Sequence, residues 1–232
     1  MPTANWTRLV IALAAAIALG IVWATSGKVD TTYAKAIVTA TSAVTLLLLA
    51  FDRWLWRYLP FRWAVSRPIL HGTWKMTQRT TYEPRANEIM EAYLVVYQTY
   101  STIRVNGFYE ISDSHSLSAD LAVEKSHCML SYIFRSDAHT MHRAGNPPSR
   151  GAATLKVGRT PQLHLEGDYW MERGTRGSIR SVGYTAKTYD TFEAARQAPY
   201  RPHRVRNELA ADAKDLGAAD GGDLQGPSAE RL

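Results

Sequence analysis

The sequence has a single cysteine, Cys128, in 232 residues, so no disulfide can form within the chain. A scaffold stapled by disulfides is therefore excluded. The chain also lacks the HExxH, GxxxxGK, GxGxxG and GxSxG patterns of zinc peptidases, P-loop proteins, dinucleotide-binding folds and α/β-hydrolases. Although the net charge is +6, residues 71–190 hold 14 Lys/Arg against 12 Asp/Glu. A broad basic face is missing, so polymeric DNA or RNA is a poor candidate partner.

Charge is also missing from two long stretches near the start of the chain. Residues 9–27 and 36–51 contain no charged side chain. These runs predict two transmembrane helices, about 9–25 and 36–51, which form a hairpin within a segment 1–52. Two alternatives stay open at this point. The first run also resembles a cleaved signal peptide, and the second also suits a buried helix of a soluble protein.

Basic residues flank both predicted helices on one side. Arg8 precedes the first run, and Arg53, Arg57, Arg62 and Arg67 follow the second. The positive-inside rule then predicts that both termini and the domain after the helices are cytoplasmic. The linker 53–70, which is rich in Arg and Trp, is expected to lie at the lipid headgroups.

After the linker, the pattern of apolar residues changes from continuous to alternating. Eight β-rich runs between residues 71 and 190 are separated by short turn-forming segments, and none of them has a helical period. We expect a small, lipocalin-like, eight-stranded antiparallel β-barrel, because closure removes exposed strand edges and leaves room for one small ligand. A β-sandwich is the alternative. The tail 191–232 is rich in Ala, Asp, Gly and Pro and is expected to be mostly disordered.

Polar and aromatic side chains on inward-facing positions are the candidates for ligand binding. Aromatic faces can stack on nucleobases and a guanidinium can contact phosphate. Core packing is the alternative for the aromatic residues, and a surface charge at a strand end is the alternative for Arg173. Arg104 lies on a hairpin of ambiguous facing and is the second candidate for a phosphate contact. The candidates are Trp74, Gln98, Thr99, Arg104, Tyr132, Tyr169 and Arg173.

Neither a catalytic group nor a metal site is indicated. Glu166, Asp168 and Glu172 alternate with apolar residues, as a solvated strand face does. The spacing of His139 and His142 from Cys128 is poor for zinc. We expect no catalytic residue, no metal and no cofactor.

The order of these parts resembles the two-transmembrane, β-strand-rich effectors of bacterial CBASS antiphage systems. The likeness is carried by the apolar hairpin, RPILHGTW, VVYQTYSTI, LSYIF and LHLEGDYWMERGTRG. The late pattern of that family, Leu-x-Gly-x-Tyr-x-Thr-x-Arg-x-Thr-x-Gly, is met with Met171 in place of the first threonine. The residues that fit it are Leu165, Gly167, Tyr169, Arg173, Thr175 and Gly177.

The resemblance implies a function. It implies a barrel that binds a cyclic di- or trinucleotide second messenger, made by a synthase with which the protein is functionally linked, and it adds Thr175 to the candidate site. It also implies self-association and disruption of the bacterial inner membrane, in which the chain would be a multi-pass protein. A non-enzymatic receptor and effector is therefore expected. An anchored carrier of an apolar or lipid ligand is the alternative, and a membrane enzyme without a visible motif is the third possibility.

Overall fold

The computed structural model describes 15–17, 20, 31–58, 67–81, 86, 88–123, 128–160 and 162–203. Helix α1 spans Thr31–Arg53 and is followed by a 3₁₀ turn, Leu55–Arg57. Nine strands and a short helix follow. They are β1 Gly72–Thr80, β2 Ile89–Gln98, β3 Ile103–Phe108, β4 Ser112–Val123, β5 Cys128–Ala138, β6 Ser149–Gly158, β7 His164–Met171, β8 Arg176–Thr185, α2 Phe192–Arg196 and β9 Arg201–Pro202.

Strands β1 to β8 form a closed antiparallel barrel. Each strand pairs with the next one along the chain, and β8 pairs back onto β1 from Thr73↔Thr185 to Thr80↔Gly177. This last pairing closes the sheet on itself, so the sandwich alternative is wrong and the eight-stranded barrel is confirmed. The upper end of the barrel is where β1, β3, β5 and β7 end, and the lower end is where these four strands begin.

The barrel interior is filled by the inward-facing residues of the alternating pattern. Trp74 and Met76 of β1 are fully buried, as are Leu130, Leu155 and Leu165 on three later strands. Burying one such side chain contributes roughly 1.5–3 kcal/mol, so the lower and middle layers of the barrel form a packed core. The open space lies at the upper end.

A β-bulge in β4 changes which residues face inward. The pairing of β4 with β5 shifts between Ser116 and Ser118, so Leu117 is an extra residue and is 54% exposed. The alternation in the sequence predicts that Leu117 shares the inner face with Leu121. Because one inserted residue moves the following side chains to the other face, only Leu121 points inward.

The prediction of transmembrane helices is not upheld. Among the residues that the structure describes, no helix combines the length and the apolar character that a membrane crossing requires. The uncharged run 36–51 in α1 would extend about 24 Å, short of a ~30 Å hydrocarbon layer, and is interrupted by Thr39 and Thr45. The second predicted transmembrane helix, 36–51, and the multi-pass inner-membrane location are therefore wrong. The predicted first helix, 9–25, lies outside that part except for 15–17 and 20.

The end of α1 is bonded to the lower end of the barrel. An Asp52 carboxylate oxygen accepts the backbone N–H of Ser101 at 2.9 Å, and the Asp52 carbonyl accepts that of Tyr100 at 2.9 Å. The Tyr100 ring packs edge-on against Phe51 and Trp56, with centroids 5.3 and 6.1 Å apart. The β2–β3 turn therefore holds the C-terminal end of α1 against the barrel.

The segment after β8 folds back onto the outside of the barrel. The rings of Phe192 and Tyr200 lie 5.3 and 5.9 Å from the ring of Tyr93, which faces outward from β2 and is fully buried. Strand β9 pairs with β8 at Gly183 and Tyr184. The tail 191–232 was predicted to be mostly disordered, and its first part is ordered to residue 203, because its aromatic residues cover an apolar outer face. Residues 204–232 lie outside the described residues.

Candidate functional site

A cavity of about 650 Å³ opens at the upper end of the barrel. Its volume lies within the range of ~300–1,000 Å³ that is typical of small-molecule sites. Aromatic side chains form much of its apolar wall, and β1, the β3–β4 turn, β5, the β7–β8 turn and α2 all contribute to it. The aromatic lining residues are Tyr109, Phe134, Tyr169 and Phe192.

The inner wall combines flat rings with buried hydrogen-bonding groups. Gln78 is 8% exposed, and its Nε2 donates to the hydroxyl of Tyr169 at 2.6 Å. Burial raises the pKa of Tyr109 to about 12, against a smaller opposing effect of its hydrogen bond with Ser114. Tyr109 therefore offers a hydroxyl, not a phenolate, to an occupant at neutral pH.

Two arginines and three glutamates carry the charge of the lining. Arg173 lies in the β7–β8 turn and Arg196 ends α2, and both are exposed at the cavity. Glu88, Glu91 and Glu110 also contribute to the wall. Lys75 pairs with Glu91 at 2.7 Å and lowers the pKa of that carboxyl, so this carboxylate is already partly neutralised.

Two glycines shape the wall around Tyr169. Gly174 has φ +82°, which lets the β7–β8 turn close by a 2.9 Å bond from its N–H to the Met171 carbonyl. Gly177 lies opposite Tyr169 on β8, and a Cβ at that position would come within 2.6 Å of the Tyr169 hydroxyl. The missing side chain leaves room for the ring to lie across β8 towards Gln78.

The structure brings three of the sequence-predicted site residues together. Tyr169, Arg173 and Thr175 all line the cavity, Tyr169 at 8% exposure and Arg173 at the rim. Met171, at the position where the family pattern has threonine, also lines it. The phenol, the guanidinium and the hydroxyl therefore face one space.

Two other predicted residues belong to the packed core below the cavity. Trp74 is fully buried against Tyr184, with centroids 4.6 Å apart, and its indole N–H donates to the Leu70 carbonyl at 2.9 Å. Tyr132 is 7% exposed and packs beside Phe134 at 5.8 Å. Neither is among the residues that line the cavity. Their contacts are those of core packing.

The remaining predicted residues lie away from the cavity. The Gln98 side chain accepts the Leu70 N–H at 2.7 Å and donates to the Pro68 carbonyl at 3.0 Å, at the lower end. Thr99 lies in the β2–β3 turn and shares a 2.9 Å hydrogen bond with Thr102. Arg104 is exposed on the outer face of β3. These three side chains are separated from Tyr169 by the length of the barrel or by its wall.

Several residues that line the cavity were not among the candidates predicted from the sequence. Gln78 lies two residues after Met76 and four after Trp74, so it faces the barrel interior with them. A polar residue at such an inward position near a strand end could have been predicted to line a cavity. Tyr109 and Ile111 belong to the β3–β4 turn, whose geometry no local motif encodes. Arg196 lies in the tail that was predicted to be disordered. Among the described residues, no three His, Cys, Asp or Glu side chains converge as a metal site would require.

Comparison with known proteins gives two matches. The family model described as "Cap15, cyclic dinucleotide receptor domain" matches residues 65–182, which contain the whole barrel up to the last part of β8. The CD-NTase-associated protein 15 of Staphylococcus schleiferi is 25% identical over 136 residues, which cover 59% of this chain and 72% of that protein. Helix α2, which adds Arg196 to the cavity, lies outside the range that the family model matches.

Proposed function

Because this chain belongs to the family of the Cap15 cyclic dinucleotide receptor domain, we propose that its barrel binds a cyclic oligonucleotide in the cavity at the upper end. A cyclic dinucleotide is the first candidate and a cyclic trinucleotide the second. The observation that supports this most is the meeting of aromatic rings and a guanidinium, Tyr109, Tyr169 and Arg173, at one cavity of about 650 Å³. Rings of this kind stack on bases, and guanidinium groups bind phosphate.

Three glutamates and two arginines share the lining, so an anion would be held by direct contact with the arginines and not by the net charge of the cavity. Two arginines are available for two phosphates, whereas a long nucleic acid needs many contacts along its backbone. The protein would act by binding and without catalysis, as a CBASS effector that responds to the product of a CD-NTase. The name of the staphylococcal relative supports that link. Self-association on ligand binding and damage to the inner membrane are the finer steps of the same proposal.

Thermal unfolding of the full chain tests the binding step. A ligand at a hundredfold excess over its Kd stabilises the folded state by about 2.7 kcal/mol. We expect this shift with at least one member of a panel of cyclic di- and trinucleotides and no shift with linear dinucleotides. Fatty acids serve as the second control. A shift with fatty acids and none with the nucleotides would favour the apolar carrier instead.

The finer steps need separate measurements. Analytical ultracentrifugation with and without the bound nucleotide tests self-association, and a mass that does not change would remove that step. Dye release from liposomes incubated with the protein and nucleotide tests membrane damage. Neither result decides whether the cavity binds the ligand.

A further inference from the structure

A buried acceptor at the cavity wall has no partner. The Gln78 carbonyl oxygen, Oε1, finds no hydrogen-bond donor among the described residues, although the side chain is 8% exposed. Its Nε2 is occupied, since it donates to the Tyr169 hydroxyl at 2.6 Å. Folded proteins leave few buried polar atoms unpaired, because each such atom gives up its bonds to water without replacement.

The position of Gln78 shows where its missing partner would come from. Gln78 and Tyr169 both line the cavity, so an occupant of the cavity is the available source of a donor. Because Oε1 itself is buried, the Gln78 amide has to turn towards the occupant to accept that bond. The Tyr169 oxygen accepts from Gln78, which leaves the phenolic proton free to be donated. The cavity wall therefore presents an acceptor and a donor side by side.

We propose that Gln78 and Tyr169 together read the hydrogen-bonding edge of one nucleobase of the ligand. Oε1 of Gln78 accepts a base N–H, and the Tyr169 hydroxyl donates to the neighbouring acceptor of the same base. Every common nucleobase carries an N–H donor beside an acceptor on its pairing edge, and single-stranded bases are commonly recognised there. The inference rests on the proposed function and adds to it that the base, and not only the phosphates, is held by direct hydrogen bonds.

The chain contains a matched control for this pair. Ser149 is 7% exposed and its Oγ also lacks a partner among the described residues, but Ser149 does not line the cavity. If an unpaired buried oxygen were only a flaw in packing, Gln78 and Ser149 would behave alike when replaced. If Gln78 bonds to a ligand, only its replacement weakens binding.

Calorimetry on the full chain tests the proposal in two ways. The probes are the cyclic dinucleotide that binds most tightly and its analogue in which the N–H of the pairing edge is methylated. We expect Gln78→Met, which keeps the shape and removes both polar groups, to raise Kd about tenfold. Ser149→Ala should leave Kd unchanged. The analogue should bind wild type about tenfold more weakly, and this penalty should shrink in Gln78→Met.

A thermal melt without ligand separates this role from a structural one. Gln78→Met removes an unpaired buried oxygen and also the bond from Nε2 to the Tyr169 hydroxyl. These two changes have opposite effects on stability, so we expect the midpoint to stay close to that of wild type. A residue that only supports the fold would lower the midpoint and leave Kd alone. Tyr169→Phe, which removes the donor, should weaken binding as well, and it serves if Gln78→Met does not fold.

Two results would overturn the inference and leave the proposed function standing. They are an unchanged Kd in Gln78→Met, or an analogue penalty that is the same in Gln78→Met as in wild type. Failure of the proposed function has another signature, because wild type would then bind none of the cyclic nucleotides.

Discussion

The amide of Gln78 on β1 and the phenol of Tyr169 on β7 meet inside the barrel at 2.6 Å, although 91 residues separate them in the chain. Strand β8 lies between their strands, and the absence of a side chain at Gly177 on β8 lets the Tyr169 ring lie across it. This contact marks the floor of the upper cavity. Arg173 lies at the rim above this contact. The neutral hydrogen-bonding groups therefore lie deep in the cavity, and the positive charge lies at its opening.

Replacing Arg173 with alanine should weaken binding of a cyclic dinucleotide. A charge-assisted contact to phosphate contributes about 1.5–3 kcal/mol, which corresponds to roughly ten- to hundredfold in Kd. The fold should be unaffected, because Arg173 lies exposed in a turn. Calorimetry gives the ratio. Arg104→Ala is the control, since Arg104 is exposed on the outer face of β3. A loss in Arg104→Ala with none in Arg173→Ala would place the phosphate elsewhere.

Arg196 should contribute to the same binding from outside the matched family domain. It lines the cavity from the end of α2, and its exposure to solvent reduces the strength of a phosphate contact. We expect Arg196→Ala to raise Kd about three- to tenfold in the same calorimetric titration. Arg201→Ala, in the same segment but away from the cavity, should have no effect. Equal effects of the two substitutions would indicate a general change of charge and not a contact.

The Asp52 contact should hold the end of α1 against the barrel. Its carboxylate accepts the Ser101 N–H at 2.9 Å, and removing a half-buried acceptor of this kind costs about 1 kcal/mol. Asp52→Ala should therefore speed hydrogen exchange at the Ser101 amide. Nucleotide affinity should not change, because the β2–β3 turn and the cavity lie at opposite ends of the barrel. Exchange as slow as in wild type would show that the contact does not hold the helix.

Acid should weaken the fold through His203. Burial lowers the pKa of His203, and the nearby His164 lowers it further, against a smaller opposing effect of the bond with Ser181. The unfolded chain then takes up a proton near pH 6.5, before the folded chain does. The free energy of unfolding should fall as the pH falls below about 6.5, until the folded form is protonated too. In urea unfolding between pH 5 and 7.5, the free energy of unfolding should change less steeply with pH for His203→Gln than for wild type. Identical slopes would contradict this assignment.

The barrel could be predicted because the sequence pattern within each strand and the short spacing between strands are both local features of the chain. Trp74, Met76 and Gln78 recur at a period of two in β1, and each barrel strand pairs with the next one along the chain. Three features were not readable from that pattern. The bulge at Leu117 inserts one residue without changing the composition of β4, and the ordered segment 189–203 depends on its contact with Tyr93. The length of the uncharged run in α1 also led to the prediction of a membrane-spanning helix, which the structure contradicts.

The candidate site was predicted in part, for a physical reason. Tyr169, Arg173 and Thr175 lie on one strand end and its turn, so their spacing in the sequence fixes their proximity. Gln98 also ends a strand, but this strand end lies at the lower end of the barrel, opposite the cavity. Which end of the barrel a strand end belongs to follows from the order and direction of the strands. Trp74 and Tyr132 share the inner face with the site, and depth within the barrel separates them from it.

Hydrogen exchange of the full chain with and without the bound nucleotide shows whether a cyclic nucleotide occupies the upper cavity. We expect slower exchange in 109–112 and 172–177, which border the cavity, and no change in 98–102 at the lower end. Protection at 98–102 without protection at 109–112, or no protection at either end at saturating nucleotide, would show that the nucleotide does not bind in the upper cavity.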